Sequence, residues 1–417
     1  MAFMIALKKN RRRLLYALII AAVALIAGYK GVLPVFRSHL KAYLDIGDAG
    51  FGLLFSVGYL PGLASVLLGG QLIDRWGSRR VIRVCLLGMG CGMLVVAFAG
   101  QRYWAFLLAT AISGAFNGPL FIAISAYLGK LFPRNQRQVI SLNLATTSTG
   151  GMIFPLVAEG LLSLASYSEM VGFAEVLHLP FLLVGVLLLA LSFVYHRSSA
   201  VPGAQSTSSR NGRRWNWRDL LLPRRAFLLA LLISLHATSD SILHAWMARF
   251  LESASFTAQA IKPGVVLSGF ALSYLLARGF LALLPDRLGR QALMVVPGLL
   301  GGGILIGGVL SRGYILTAAG YVLGALCWSC EYPAIVSALL RHDRRRFGSA
   351  MAMSGMMTAA AMFIGMNVMG GVIDRVGEAR LWQAMLLPAC GFPMVGIGGW
   401  LWWHIYGDET ERPVQSR

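Results

Sequence analysis

His236, Asp240 and His244 are spaced four residues apart, so on an α-helix they stack on one face over about 12 Å. A carboxylate with an imidazole one turn above and one turn below can pass protons or hold a cation. Three side chains spread over two turns do not reach one metal ion without ligands from a second helix, so no metal site is expected. The plainer alternative is a hydrogen-bonded polar stripe that holds helices together. Four more charged residues share the same setting, each inside a long apolar run: Lys30, Glu159, Arg278 and Glu331. Arg278 cannot shed its charge. It therefore needs an anion, which is Asp240, Glu331, or a carboxylate or phosphate on a bound solute. Glu331 stands beside Trp328 and Tyr332 and just before Pro333, placed to be a second titrating group or the counter-ion of Arg278. Lys30 lies in Gly28-Tyr29-Lys30-Gly31, where it can face a solute or snorkel to an interface. Asn117, in Gly114-Ala-Phe-Asn117-Gly118-Pro119, can hydrogen-bond a solute, while the Gly and Pro around it equally suit bending and close packing. Glu159 is expected at an interface.

The elements that must position these residues are membrane spans. Of 417 residues, 57% are hydrophobic and 13% charged, against roughly 25% charged in soluble domains. Apolar runs bounded by charges predict twelve helices, with rough limits 14 to 36, 49 to 72, 81 to 99, 103 to 129, 138 to 164, 177 to 195, 226 to 249, 264 to 285, 291 to 310, 313 to 340, 347 to 373 and 381 to 405. Twelve spans of about 20 residues each leave no room for a soluble enzyme on a membrane anchor. The expected fold is an all-α integral membrane protein of two pseudo-symmetric six-helix bundles, 1–195 and 226–417, joined by a basic Ser/Gly/Pro-containing linker, 196–225. Cys327-Trp-Ser-Cys330 resembles a redox CxxC, but it lies in an apolar helix and reads as packing.

The excess of Lys and Arg, 37 against 17 acids, would suggest nucleic acid in a soluble chain. Here it follows the membrane. With the N-terminus inside, inner segments outnumber outer loops in Lys and Arg by roughly three to one, which predicts both termini in the cytoplasm. An internal repeat agrees. Gly69-Gly-Gln-Leu-Ile-Asp74-Arg75-Trp-Gly77-Ser-Arg79-Arg80, after the second span, recurs after the eighth as Asp286-Arg287-Leu-Gly289-Arg290.

On these residues the chain resembles the major facilitator superfamily over essentially its whole length. Asp240-Ser-Ile-Leu-His244-Ala-Trp246 followed by Ala277-Arg278-Gly279 is similar to the fucose-permease-type branch, although the acid carried in span 4 by sugar-transporting members is missing. The resemblance implies a multi-pass protein of a plasma membrane, expected to be a bacterial inner membrane, that moves a small polar solute, neutral or anionic, by alternating access without a cofactor and as a monomer. Helices 1, 4, 7 and 10 would line its cavity. Expected solute contacts are Lys30, Asn117, His236, His244, Arg278 and Trp328. Expected carriers of a coupling proton are Asp240 and Glu331, and expected gating residues are Asp74, Arg75, Gly77, Arg79, Asp286, Arg287, Gly289 and Arg290. Symport is the expected mode. Proton antiport of drugs or metabolites is the rival, against which span 5 offers only Gly150-Gly-Met-Ile-Phe-Pro155. A polytopic enzyme or a sensor is the reading from another class.

Overall fold

The computed structural model describes residues 11–131, 136–167, 173–197, 222–253, 256, 261–283, 290–342 and 347–406. Among them are 12 helices long and apolar enough to cross a membrane. Span 1 is Arg11–Ile26, a 3-10 turn at Ala27–Gly31, and Val32–Leu44; span 2 is Asp48–Ser56 and Tyr59–Trp76. Spans 3 to 6 are Ser78–Ala97, Tyr103–Leu131, Gln136–Tyr167 and Phe173–Arg197. Spans 7 to 9 are Arg224–Leu251, Pro263–Leu283 and Arg290–Leu310; span 10 is Tyr314–Trp328 and Glu331–His342; spans 11 and 12 are Phe347–Val376 and Leu381–Tyr406. The protein is thus a multi-pass membrane protein of the expected twelve-helix, all-α kind. Its compact units are Met1–Arg213 and Arg214–Arg417.

Within each unit the helices pair in the same way. In the first, span 3 packs on spans 4 and 6, span 2 on span 4, and span 1 on span 5. In the second, span 9 packs on spans 10 and 12, span 8 on span 10, and span 7 on span 11. Small residues make the crossings, as expected where apolar burial cannot drive helix association. A Cβ on Gly28 would lie 2.1 Å from the Gly150 carbonyl carbon, and one on Gly150 would lie 1.9 Å from the Leu25 oxygen, so spans 1 and 5 touch backbone to backbone. Spans 2 and 4 meet likewise, since a Cβ on Gly114 would fall 2.0 Å from the Gly58 oxygen. The second unit has its core among spans 7, 9, 10 and 12, where Leu229, Ile233, Met294, Ile335, Val395 and Trp402 are buried. Trp402 Nε1 donates there to the Arg225 carbonyl at 3.0 Å.

Gly77 joins spans 2 and 3 with φ 77° and ψ 147°, a conformation open only to glycine. That is why the repeated stretch carries Gly77 between Asp74-Arg75 and Arg79-Arg80.

Candidate functional site

The second unit gathers most of the membrane-depth polar residues into two systems. The first is centred on Asp240. Its Oδ1 accepts from Tyr274 Oη at 2.6 Å and from Trp328 Nε1 at 3.2 Å, and Trp328 Nε1 also reaches Tyr274 Oη at 2.8 Å. Spans 7, 8 and 10 each supply one corner of that triangle. Tyr274 is pinned between Asp240 and Arg278, whose guanidinium lies 4.4 Å from the tyrosine ring centroid, and Arg278 is within electrostatic reach of the Asp240 carboxylate. Asp240 and Arg278 are part-exposed, whereas Tyr274 and Trp328 are buried. The hydrogen-bond donors on Asp240 are both uncharged, so among the described residues the carboxylate is held without an ion pair at contact distance.

The second system is sealed. Glu331 is 0% exposed and its Oε2 lies 2.8 Å from Nδ1 of His236, itself 3% exposed. Span 10 is interrupted at Ser329 and Cys330, so Glu331 begins a new helical segment, where a carboxylate suits the unpaired N–H groups of the first turn. Span 9 makes room for it at Gly298, where a Cβ would come 2.2 Å from Glu331 Oε1. Phe392 joins the two systems, stacking on Trp328 at 4.0 Å and meeting His236 edge-on at 5.7 Å.

The sequence stripe His236-Asp240-His244 is therefore real as geometry but not as a chain of bonds. Four-residue spacing puts the three groups on one face, yet each finds a nearer partner on another span. His236 goes to Glu331, and His244 Nδ1 lies 3.0 Å from Tyr321 Oη. Glu331, expected as a possible counter-ion of Arg278, is instead bonded to His236. Tyr274 and Tyr321 were not anticipated. The signal was available for one of them, because Phe270, Tyr274 and Arg278 repeat every four residues on span 8. Phe270 stacks on Tyr321 at 4.5 Å and 9°, which completes a wall of rings beside the polar groups.

In the first unit, Asn117 is part-exposed on span 4, one residue before Gly118, whose Cβ would fall 2.8 Å from Val66. Lys30 is exposed on the 3-10 turn of span 1. Glu159 is part-exposed on span 5. Arg79 sits among tyrosines of spans 1 and 6, with its guanidinium 5.7 Å from the Tyr16 ring and 5.9 Å from the Tyr195 ring, and Tyr127 of span 4 packs edge-on against Tyr16 at 5.6 Å. Asp286, Arg287 and Gly289 lie outside the described residues, as do the side chains of Asp74, Arg75 and Arg290. Among the described residues no group of three His, Cys, Asp or Glu side chains could hold a metal ion.

Comparison with known proteins accounts for this architecture. The solved structure of a mutant of the nucleoside transporter NupG aligns with TM-score 0.69 and 16% identity over 93% of this chain and 99% of its own. The E. coli fucose:proton symporter FucP, also solved as a mutant, gives 0.69 and 17% over 94% and 99%. A bacterial homolog of the human lysosomal transporter Spinster, in an inward-facing and occupied conformation, gives 0.70 and 13% over 97% and 100%. Among curated sequences, the multidrug resistance protein MdtG of Yersinia enterocolitica serotype O:8 / biotype 1B is 34% identical over 116 residues, a stretch that is 27% of this chain and 27% of that protein. The Major Facilitator Superfamily profile matches residues 18–366, and the chain belongs to that family of membrane transporters.

Proposed function

We propose that the protein is a proton-coupled secondary transporter that moves a small polar solute by alternating access, with Asp240 as the proton carrier. The observation that carries this reading is the setting of Asp240. It is a part-exposed carboxylate at membrane depth, held by the neutral donors of Tyr274 and Trp328. Such a group can take up or release a proton without breaking an ion pair, and the cost of a charge at this depth ties its protonation to what faces it. Arg278 and His244 frame the same part-exposed surface and are assigned to the solute, as is Asn117 in the first unit. Trp328 and His236 are buried, and they support the site by holding Asp240 and Glu331. Glu331 is the alternative carrier.

The signature residues Asp74, Arg75, Gly77 and Arg79, and their repeats Asp286, Arg287, Gly289 and Arg290, are assigned to gating on the cytoplasmic side, with both chain termini on that side and a bacterial inner membrane as the setting. Symport is favoured. Export by proton antiport is the second reading, and the 34% identical stretch of the multidrug resistance protein supports it. Uptake into proteoliposomes with and without an imposed pH gradient tests the proposal. Accumulation that follows the gradient supports coupling, its sign separates symport from antiport, and gradient-independent equilibration would contradict it.

A further inference from the structure

Lys30 is placed where a cation is hardest to keep. It lies fifteen residues from one end of the Leu15–Leu44 span and fourteen from the other, about 21 Å of helix each way, which is beyond what a lysine stem can snorkel. Its surroundings rule out a lipid-facing position. A lipid-facing stripe exposes residues three and four apart, but Ile26 and Pro34 are buried, and Ala27 and Leu33 are only part-exposed. Lys30 is in fact the one exposed residue from Ile19 through Arg37. The ammonium group is therefore solvent-accessible in the middle of a span whose neighbouring positions are sheltered.

The platform beneath it is rigid. Gly28 lies against the Gly150–Gly151 backbone, and a Cβ on Gly31 would meet Pro155 at 2.8 Å, so the 3-10 turn that carries Lys30 is fixed on span 5. Among the described residues, Lys30 has neither a hydrogen bond nor an ion pair. An ammonium offers three donors and a full charge. A cation held in the middle of a membrane span, far from bulk solvent, attracts anions and repels cations.

We infer that Lys30 is a solute-binding residue and that the solute carries an oxyanion, a carboxylate or a phosphate. The inference rests on the transport reading and adds its substrate class.

The test is ligand-induced thermal stabilisation of the full-length detergent-purified protein at constant ionic strength in chloride. The carboxylate probes are acetate, lactate and succinate, and the phosphate probes are inorganic phosphate and methyl phosphate. Xylose and tetraphenylphosphonium serve as neutral and cationic controls. Saturable stabilisation by a carboxylate or a phosphate probe is expected, and which arm responds names the group. Lys30→Gln should weaken that binding about tenfold or more while leaving the ligand-free melting temperature near that of the parent, because Lys30 holds no partner among the described residues. Lys30→Arg should keep most of the affinity. Stabilisation by xylose or tetraphenylphosphonium that is indifferent to Lys30→Gln, or no response to any oxyanion probe, overturns the inference. Gradient-driven transport of a neutral solute would overturn it too, and would leave proton coupling standing.

Discussion

His236 Nδ1 and Glu331 Oε2 stand 2.8 Å apart with both side chains closed to solvent, while Asp240, one turn from His236 on the same helix, remains part-exposed. Asp240 and Glu331, the two carboxylates described at membrane depth in the second unit, are thus unequal. One is built into the packing of spans 7, 9, 10 and 12, and the other faces outward from it. Removing one partner of a buried pair costs about 3–5 kcal/mol. Glu331→Ala should accordingly lower the melting temperature strongly, whereas Asp240→Asn, which keeps the shape and a hydrogen-bonding oxygen, should lower it little. Melting curves of the two purified variants check this ordering, and a reversed order would contradict the division of roles.

Gly298 makes the same point from the opposite helix. A methyl group there would meet the Glu331 carboxylate at 2.2 Å and the Phe392 carbonyl oxygen at 2.6 Å. Gly298→Ala is expected to destabilise by about 1–3 kcal/mol through overpacking. Gly307→Ala in the same span, where nothing lies within 4 Å, should be neutral or slightly stabilising. Melting temperatures of the pair check the contrast.

The crossing of spans 1 and 5 carries a parallel expectation. Gly150→Ala would drive a methyl group into the Leu25 carbonyl, a backbone contact that no rotamer relieves, and the yield of folded protein should fall sharply. Gly160→Ala in the same span has open space around it and should express like the parent. Size-exclusion profiles of the two variants are the check.

Arg79 is held by the rings of Tyr16 and Tyr195. Tyr195→Leu keeps much of the bulk and removes the ring face, a loss of about 0.5–2 kcal/mol. If the tyrosines position this arginine for gating, the variant should reduce turnover with little change in the solute concentration for half-maximal transport. An unchanged turnover would assign the tyrosines to packing alone.

Much of this was legible in the residues. Hydropathy and the positions of Lys and Arg located all twelve spans, because a bilayer demands long apolar helices and leaves few other solutions. The repeat of Asp74-Arg75 as Asp286-Arg287 foretold two similar halves, and the same helix pairing recurs in both. The membrane-depth charges were equally visible, since each stands out in an apolar run. Their partners were not. Whether His236 serves Asp240 or Glu331 depends on the rotation of span 7 against span 10, which a one-dimensional pattern does not carry. Lys30 shows the same limit, because its exposure among sheltered neighbours follows from a 3-10 turn wedged on Gly150 and Gly151. The sequence displays the glycines without saying that they meet.

The central claim is that Asp240 carries the coupling proton, and Asp240→Asn in proteoliposomes tests it most directly. The variant mimics a carrier whose proton never leaves. It should lose pH-gradient-driven accumulation of the solute while retaining counterflow, because exchange between loaded states needs no proton release. Glu331→Gln, assayed beside it, should keep the response to the gradient in whatever fraction of the protein folds. Gradient-driven accumulation that survives in Asp240→Asn would contradict the account and transfer the role to Glu331.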